Sequence, residues 1–149
     1  MGTGKSPHVG EVDPSEAWKI LNDNKSARLI DVRTSAEWAF VGVPDLAEMG
    51  QPPIFIEWAS LPNMSENPRF AAELDEALGG EKPETLLFLC RSGARSLRAA
   101  YLVADHLSAR GVEVNCLNVA EGFEGDLDAH AHRGSMNGWK ARGLSWRQS

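Results

Sequence analysis

The sequence predicts an α/β fold, a single domain with a central parallel sheet and helices on both faces. Strand-like apolar runs alternate with helix-like runs along the chain, a pattern that implies right-handed crossovers. Thr85 to Leu89 is a continuous apolar run of the length expected for a central parallel strand, buried on both sides. The chain has 149 residues, within the range of one domain, and at that length folding buries roughly 68 to 70% of the unfolded chain's surface.

Taken in order, Val9 to Val12 reads as a short strand. In Asp13-Pro14-Ser15-Glu16 an N-cap, a proline at the first helical position and a capping-box glutamate coincide, so a helix follows, with Ala17, Trp18, Ile20 and Leu21 on its apolar side. Asn22 to Ser26 is its polar exit, and Arg28 to Val32 is a buried strand. Thr34 or Ser35 caps a short helix. Gly42 to Pro53 holds three prolines and two glycines without periodicity and is expected to be a loop, ahead of a strand at Ile54-Phe55-Ile56. A helix begins at Asn67-Pro68, carries Phe70, Ala71, Leu74, Ala77 and Leu78 on one face, and stops at Gly79-Gly80. After Thr85 to Leu89 comes Cys90-Arg91-Ser92-Gly93-Ala94-Arg95-Ser96. A helix follows with Leu97, Ala100, Tyr101, Ala104 and Leu107 on one side, ending at Gly111. Val112 to Val119 is the last strand, and the glycine-rich polar chain from Ala120 onward is expected to wrap on the domain.

Composition narrows the function classes. Fifteen basic against 21 acidic residues give a net charge of −6, which disfavours broad attraction to nucleic acid or anionic lipid. No apolar run approaches the roughly 18 residues of a membrane span. Lys5, His8, Glu11 and Asp13 interrupt any apolar stretch near the start, which argues against an ordinary secretory signal, so a cytoplasmic location is expected. Two widely spaced cysteines, Cys90 and Cys116, do not make a disulfide framework.

Cys90 is the residue with chemistry. It follows a central strand, and in open parallel sheets ligands bind beyond the strands' carboxyl ends. The loop after it leads into a helix N-terminus, where free N–H groups and the helix dipole stabilise negative charge. Thiols so placed, with Arg91 and Arg95 nearby, ionise more readily than free ones and make good nucleophiles. Gly93 leaves the backbone open to close approach of an anion. An inert buried thiol, or a loop that binds anions without turnover, is the plainer alternative.

The segment Cys90-Arg91-Ser92-Gly93-Ala94-Arg95 resembles the active loop Cys-Arg-x-Gly-x-Arg of the rhodanese (thiosulfate sulfurtransferase) family, of the single-domain bacterial type. Asp31-Val32-Arg33 followed by Glu37-Trp38 is similar to that family's second signature, and Glu121-Gly122-Phe123 to its turn after the last strand. The likeness covers about Val9 to Gly125, a rhodanese-like domain (9–125), leaving 1–8 as a flexible N-terminus and 126–149 as a C-terminal extension packed on the domain. It implies a sulfurtransferase without metal or organic cofactor. Cys90 would take a sulfane sulfur from thiosulfate or a persulfide and pass it to cyanide, a thiol or a protein acceptor. Arg91, Ser92, Gly93, Ala94, Arg95 and Ser96 would hold substrate through loop N–H groups. Asp31 and Arg33 would brace the fold. The chain departs from the family at Val41 to Leu46, and the insertion up to Pro53 with Glu57-Trp58 is a candidate shaper of the pocket.

Smaller signals have structural readings. Glu37 is spaced to pair with Arg33. Trp58 and Trp139 are candidate pocket-wall residues, and the five tryptophans form no nucleic-acid stacking stripe. His130 and His132 lack further metal ligands at suitable spacing. His106 lies too far along its helix to serve Cys90 as a base and reads as surface, and Cys116 reads as core. Gly4-Lys5-Ser6 lacks the rest of a phosphate loop. Met1-Gly2 with Ser6 fits a myristoylation pattern that a flexible terminus also produces. A phosphatase or arsenate reductase would use Cys-x5-Arg, whereas here Arg95 follows four intervening residues and Ser96 takes the next place. A non-catalytic module of the same fold, binding a partner or sensing redox state, is the other alternative.

Overall fold

The computed structural model describes residues 8–148; the Gly4-Lys5-Ser6 and Met1-Gly2 motifs lie outside them. In chain order the elements are β1 (Val9–Val12), α1 (Pro14–Asp23), β2 (Ala27–Asp31), α2 (Ser35–Phe40), β3 (Val43–Pro44), a 3-10 turn (Ala47–Met49) and β4 (Ile54–Phe55). There follow β5 (Ala59–Ser60), β6 (Ser65–Glu66), α3 (Phe70–Leu78), β7 (Thr85–Leu89), α4 (Ala94–Ala109), β8 (Asn115–Val119) and β9 (Trp146–Arg147). The main sheet has five strands in the order β1-β8-β7-β2-β4, every pairing parallel.

The central strand β7 shows why both sheet faces are covered. Side chains alternate across a strand. Leu86 and Phe88 enter a core with Ile30, Phe70, Leu74, Ala100 and Val103, beneath α3 and α4. Leu87 and Leu89 enter a second core with Ala17, Leu21, Leu29 and Trp139, beneath α1 and the C-terminal segment. α1 starts as its sequence dictates: Glu16 N–H donates to Asp13 Oδ1 (2.8 Å), Asp13 N–H donates to Glu16 Oε1 (3.0 Å), and Pro14 occupies the first turn.

The chain beyond Ala120 is held at several points. Trp139 is fully buried, meets Trp18 edge to face at 5.8 Å, and donates its indole N–H to the Ser145 carbonyl. β9 pairs antiparallel with β3, so the stretch expected to be pure loop from Gly42 contains a strand. Its partner lies a hundred residues away, beyond the reach of local patterning. Other boundaries also move. The last strand begins at Asn115 rather than Val112, because Val112 N–H donates to the Leu107 carbonyl and completes the end of α4. α3 begins at Phe70 because Asn67 Oδ1 takes the Arg69 N–H in a turn of its own. The β5–β6 hairpin is too short to leave a periodic trace.

Candidate active site

The site is built at the carboxyl end of β7. The Leu89 carbonyl accepts the Val32 N–H (2.8 Å), which draws the exits of β7 and β2 together, and Cys90 is the next residue. The chain then turns through Gly93, whose φ of 114° suits glycine alone, and enters α4 at Ala94. That turn brings the Gly93 N–H to 3.1 Å from Cys90 Sγ, and the first turn of α4 brings Ser96 Oγ to 3.2 Å on the same sulfur. Cys90 is 1% exposed.

The far side of the loop is held by the turn after β8. Phe123 N–H donates to the Cys90 carbonyl (2.8 Å), and Glu124 and Gly125 N–H groups donate to the Arg91 carbonyl (3.0 and 3.2 Å). With the carbonyls held outward, the loop can present N–H groups inward. Gly122 permits the approach: it has φ 69°, and a Cβ there would stand 2.5 Å from the Arg91 carbonyl carbon and oxygen.

The loop side chains part company. Arg91 is exposed, whereas Arg95 is half-buried and forms two hydrogen bonds with Glu37, at 2.7 and 3.0 Å. Burial works against the Arg95 charge, but Glu37 and the nearby Cys90 and Asp31 outweigh it and raise its pKa. Burial likewise pushes the Glu37 carboxyl up, and Arg95 with Thr34 more than reverses this, holding it below the ordinary glutamate value. The expected Arg33–Glu37 pair is therefore corrected. Arg33 turns into the core, where its Nε and Nη2 bind Asp31 (2.9 and 2.7 Å), its Nη2 also reaches the Gly42 carbonyl (2.8 Å), and its guanidinium stacks 4.3 Å from the Phe123 ring centroid. Arg33 and Asp31 are both fully buried.

The two tryptophans are also corrected. Trp58 packs edge-on against Phe70 in one core and Trp139 lies in the other, so neither walls the site. Glu57 instead accepts the Ser35 N–H at the start of α2. An open cleft of about 960 Å³ adjoins the loop, lined by Arg91, Arg95, Glu37, Leu61, Met64, Leu127 and Arg133 among others. Sequence reasoning missed Leu61, Met64, Leu127 and Arg133, which sit in irregular chain where side-chain direction has no periodic signature. It also missed Asn118, whose one signal is a polar residue near the end of an apolar strand. Asn118 is buried and joins Ser96 to Glu11.

The remaining candidates stand apart. Cys116 is a free, buried thiol on β8 whose pKa burial pushes up to about 11, which does not suit a redox partner. His106 pairs with Asp75 on α3 (2.9 Å). Among the described residues no group of His, Cys, Asp and Glu is arranged to hold a metal ion, and no helix is long and apolar enough to cross a membrane.

The model of the rhodanese-like domain matches residues 13–142. The chain belongs to the rhodanese-like family. This rhodanese-like chain is 33% identical over 138 residues to an uncharacterised protein of Rickettsia prowazekii, covering 93% of this chain and 97% of that one. An uncharacterised protein of Rickettsia conorii matches over the same shares at 31% identity. The crystal structure of Rv0390 from M. tuberculosis superimposes with a TM-score of 0.80 at 43% identity, over 95% of this chain and 99% of that one. The polysulfide-sulfur transferase of Wolinella succinogenes shares the fold, with a TM-score of 0.55 at 21% identity over 95% and 80% of the two chains.

Proposed function

We propose that this rhodanese-like protein is a sulfurtransferase in which Cys90 carries a sulfane sulfur from thiosulfate or a persulfide to a thiophilic acceptor. The observation that carries the reading is the setting of Cys90 Sγ at the end of β7, between the Gly93 N–H and Ser96 Oγ and beside the first turn of α4. A thiolate there attacks the outer sulfur of thiosulfate. The sulfur–sulfur bond of the donor breaks, sulfite leaves with its electron pair, and a Cys90 persulfide remains. Cyanide or an acceptor thiolate then attacks the terminal sulfur, and Cys90 leaves as the thiolate again. Two easier transfers replace one.

Each neighbouring residue has a part. Gly93 N–H faces the sulfur and Ser96 O–H is within reach of it, and both stabilise the charge it carries. Arg91, exposed at the cleft, takes the anionic end of the donor. Ser92 and Ala94 shape the loop between them, and Asp31, Arg33 and Glu37 hold its surroundings. The near-complete enclosure of Cys90 favours a donor that enters sulfur-first, and so a group of one atom over a tetrahedral phosphate. The engagement of Arg95 with Glu37 weighs the same way, because a phosphatase needs that guanidinium on its substrate. No cofactor enters these steps. The partners are a small sulfur donor and a cyanide, thiol or protein-borne acceptor. A free thiol cycling through a persulfide fits a reducing compartment such as the cytoplasm.

Intact-mass measurement after thiosulfate treatment tests the reading. One added sulfur is expected on the wild type and none on Cys90→Ser, with no phosphate released from aryl phosphates. An unmodified wild type, an adduct that persists without Cys90, or Cys90-dependent phosphate release would each overturn it.

A further inference from the structure

We propose that Asn118 is a positioning residue that competes with Cys90 for the one hydroxyl proton of Ser96, so that charging the sulfur requires Ser96 to change partner. The inference rests on Cys90 being the reacting sulfur.

Ser96 is fully buried, with Oγ 2.5 Å from Asn118 Oδ1 and 3.2 Å from Cys90 Sγ. A hydroxyl has a single hydrogen to donate, so it serves one of these neighbours at a time. The Asn118 amide cannot be turned the other way. Its Nδ2 faces Glu11 Oε2 at 3.1 Å and the Gly93 carbonyl at 3.2 Å, both acceptors, and a flip would set its oxygen against them. Asn118 therefore offers Ser96 an oxygen, and Ser96 answers by donating. While it does so, the serine oxygen presents lone pairs to Sγ, which suits an S–H group and opposes a bare anion.

When Cys90 gives its proton to solvent, the Ser96 hydroxyl rotates onto the sulfur and Asn118 Oδ1 is left as a buried acceptor without its donor. That loss sets the cost of the charged state. Through Nδ2 the same side chain holds the Gly93 carbonyl, and so steadies the residue whose N–H faces Sγ. Asn118 thus fixes one donor to the sulfur and withholds the other until charge develops.

Several charges surround this network. Arg95 on α4 is paired with Glu37 on α2, and the Asp31–Arg33 pair lies at the end of β2. Arg91 is in the loop, Glu124 in the turn after β8, and Glu11 on β1 stands behind Asn118. Replacing Asn118 with leucine leaves all of them in place.

The test is the ultraviolet absorbance of the Cys90 thiolate as pH is varied, read against the same variant carrying Cys90→Ser to remove Cys116 and Tyr101. Asn118→Leu keeps the side-chain size and frees the Ser96 proton, so the midpoint is expected to fall by about one pH unit, the scale of a hydrogen bond to an anion. On a Ser96→Ala background the same change is expected to leave the midpoint in place. Should Asn118→Leu fail to fold, Glu11→Ala, an exposed change, releases the amide and is expected to act in the same direction only when Ser96 is present. A midpoint that stays or rises, or one that falls equally without Ser96, overturns the competition. Sulfur loading of the wild type is measured in parallel. A shifted midpoint in a protein that takes no sulfur upholds the competition and overturns the transferase reading, whereas normal loading with an unmoved midpoint does the opposite.

Discussion

Gly122 places a strict demand on the backbone beside the sulfur-bearing loop. Its φ of 69° and the 2.5 Å between a would-be Cβ and the Arg91 carbonyl leave no room that a rotamer change could supply. Gly122→Ala is expected to cost more than about 2 kcal/mol of stability, since left-handed strain alone costs roughly 1–2 kcal/mol for a residue with a side chain. Denaturant titration reads that loss, and sulfur loading should fall with it as the Cys90 and Arg91 carbonyls lose their donors. Gly93 and Gly122 were legible in the sequence because both lie in recognisable motifs and backbone demands follow local order. The partner of Arg95 was not legible. Spacing on a helix proposes Arg33 for Glu37, and only the approach of α2 to α4 shows that Glu37 reaches across the cleft instead.

Among the elements, α2 depends most on charge. None of its residues is fully buried; it is held by the Thr34–Glu37 capping box, the Glu37–Arg95 pair and an edge contact of Trp38 with Phe55. Glu37 binds its proton less readily in the fold than in the unfolded chain, where the ordinary value is 4.5. The stabilisation is therefore fully present above that value and disappears as pH falls through the lower folded one. Glu37→Gln is expected to be less stable than wild type at neutral pH by about 2 kcal/mol, typical of a hydrogen bond between charged groups. The gap should narrow in thermal melts as pH falls below 4.5 and through the lower folded value, and a gap that is constant with pH would contradict this. The start of α2 was readable from Thr34 and Glu37, as was that of α1 from Asp13 to Glu16. The short pairs β3–β9 and β5–β6 were not, because two residues carry no alternation to detect.

For the molecule as a whole, the chain after β8 ties one core to the site. The Trp139 ring fills the face beneath α1, while its backbone N–H donates to the Gly122 carbonyl (2.9 Å) and the Lys140 backbone N–H to the Phe123 carbonyl (3.2 Å). Trp139→Ala is expected to destabilise by about 3–5 kcal/mol, the usual loss for a buried aromatic. It should also impair sulfur loading under conditions where the variant is still folded by circular dichroism. Loading that survives intact would separate the core from the loop. The sheet and its alternating helices were legible from apolar runs, whereas a tryptophan in polar chain gave no sign of which face it fills. The turn that grips the Cys90 and Arg91 carbonyls arrives only after a long helix and another strand. A transplant of Cys90 to Ser96 into a foreign scaffold would thus carry the letters and leave their shape behind. A graft that works would have to bring Glu121 to Gly125, and the Gly138 to Lys140 stretch that backs them.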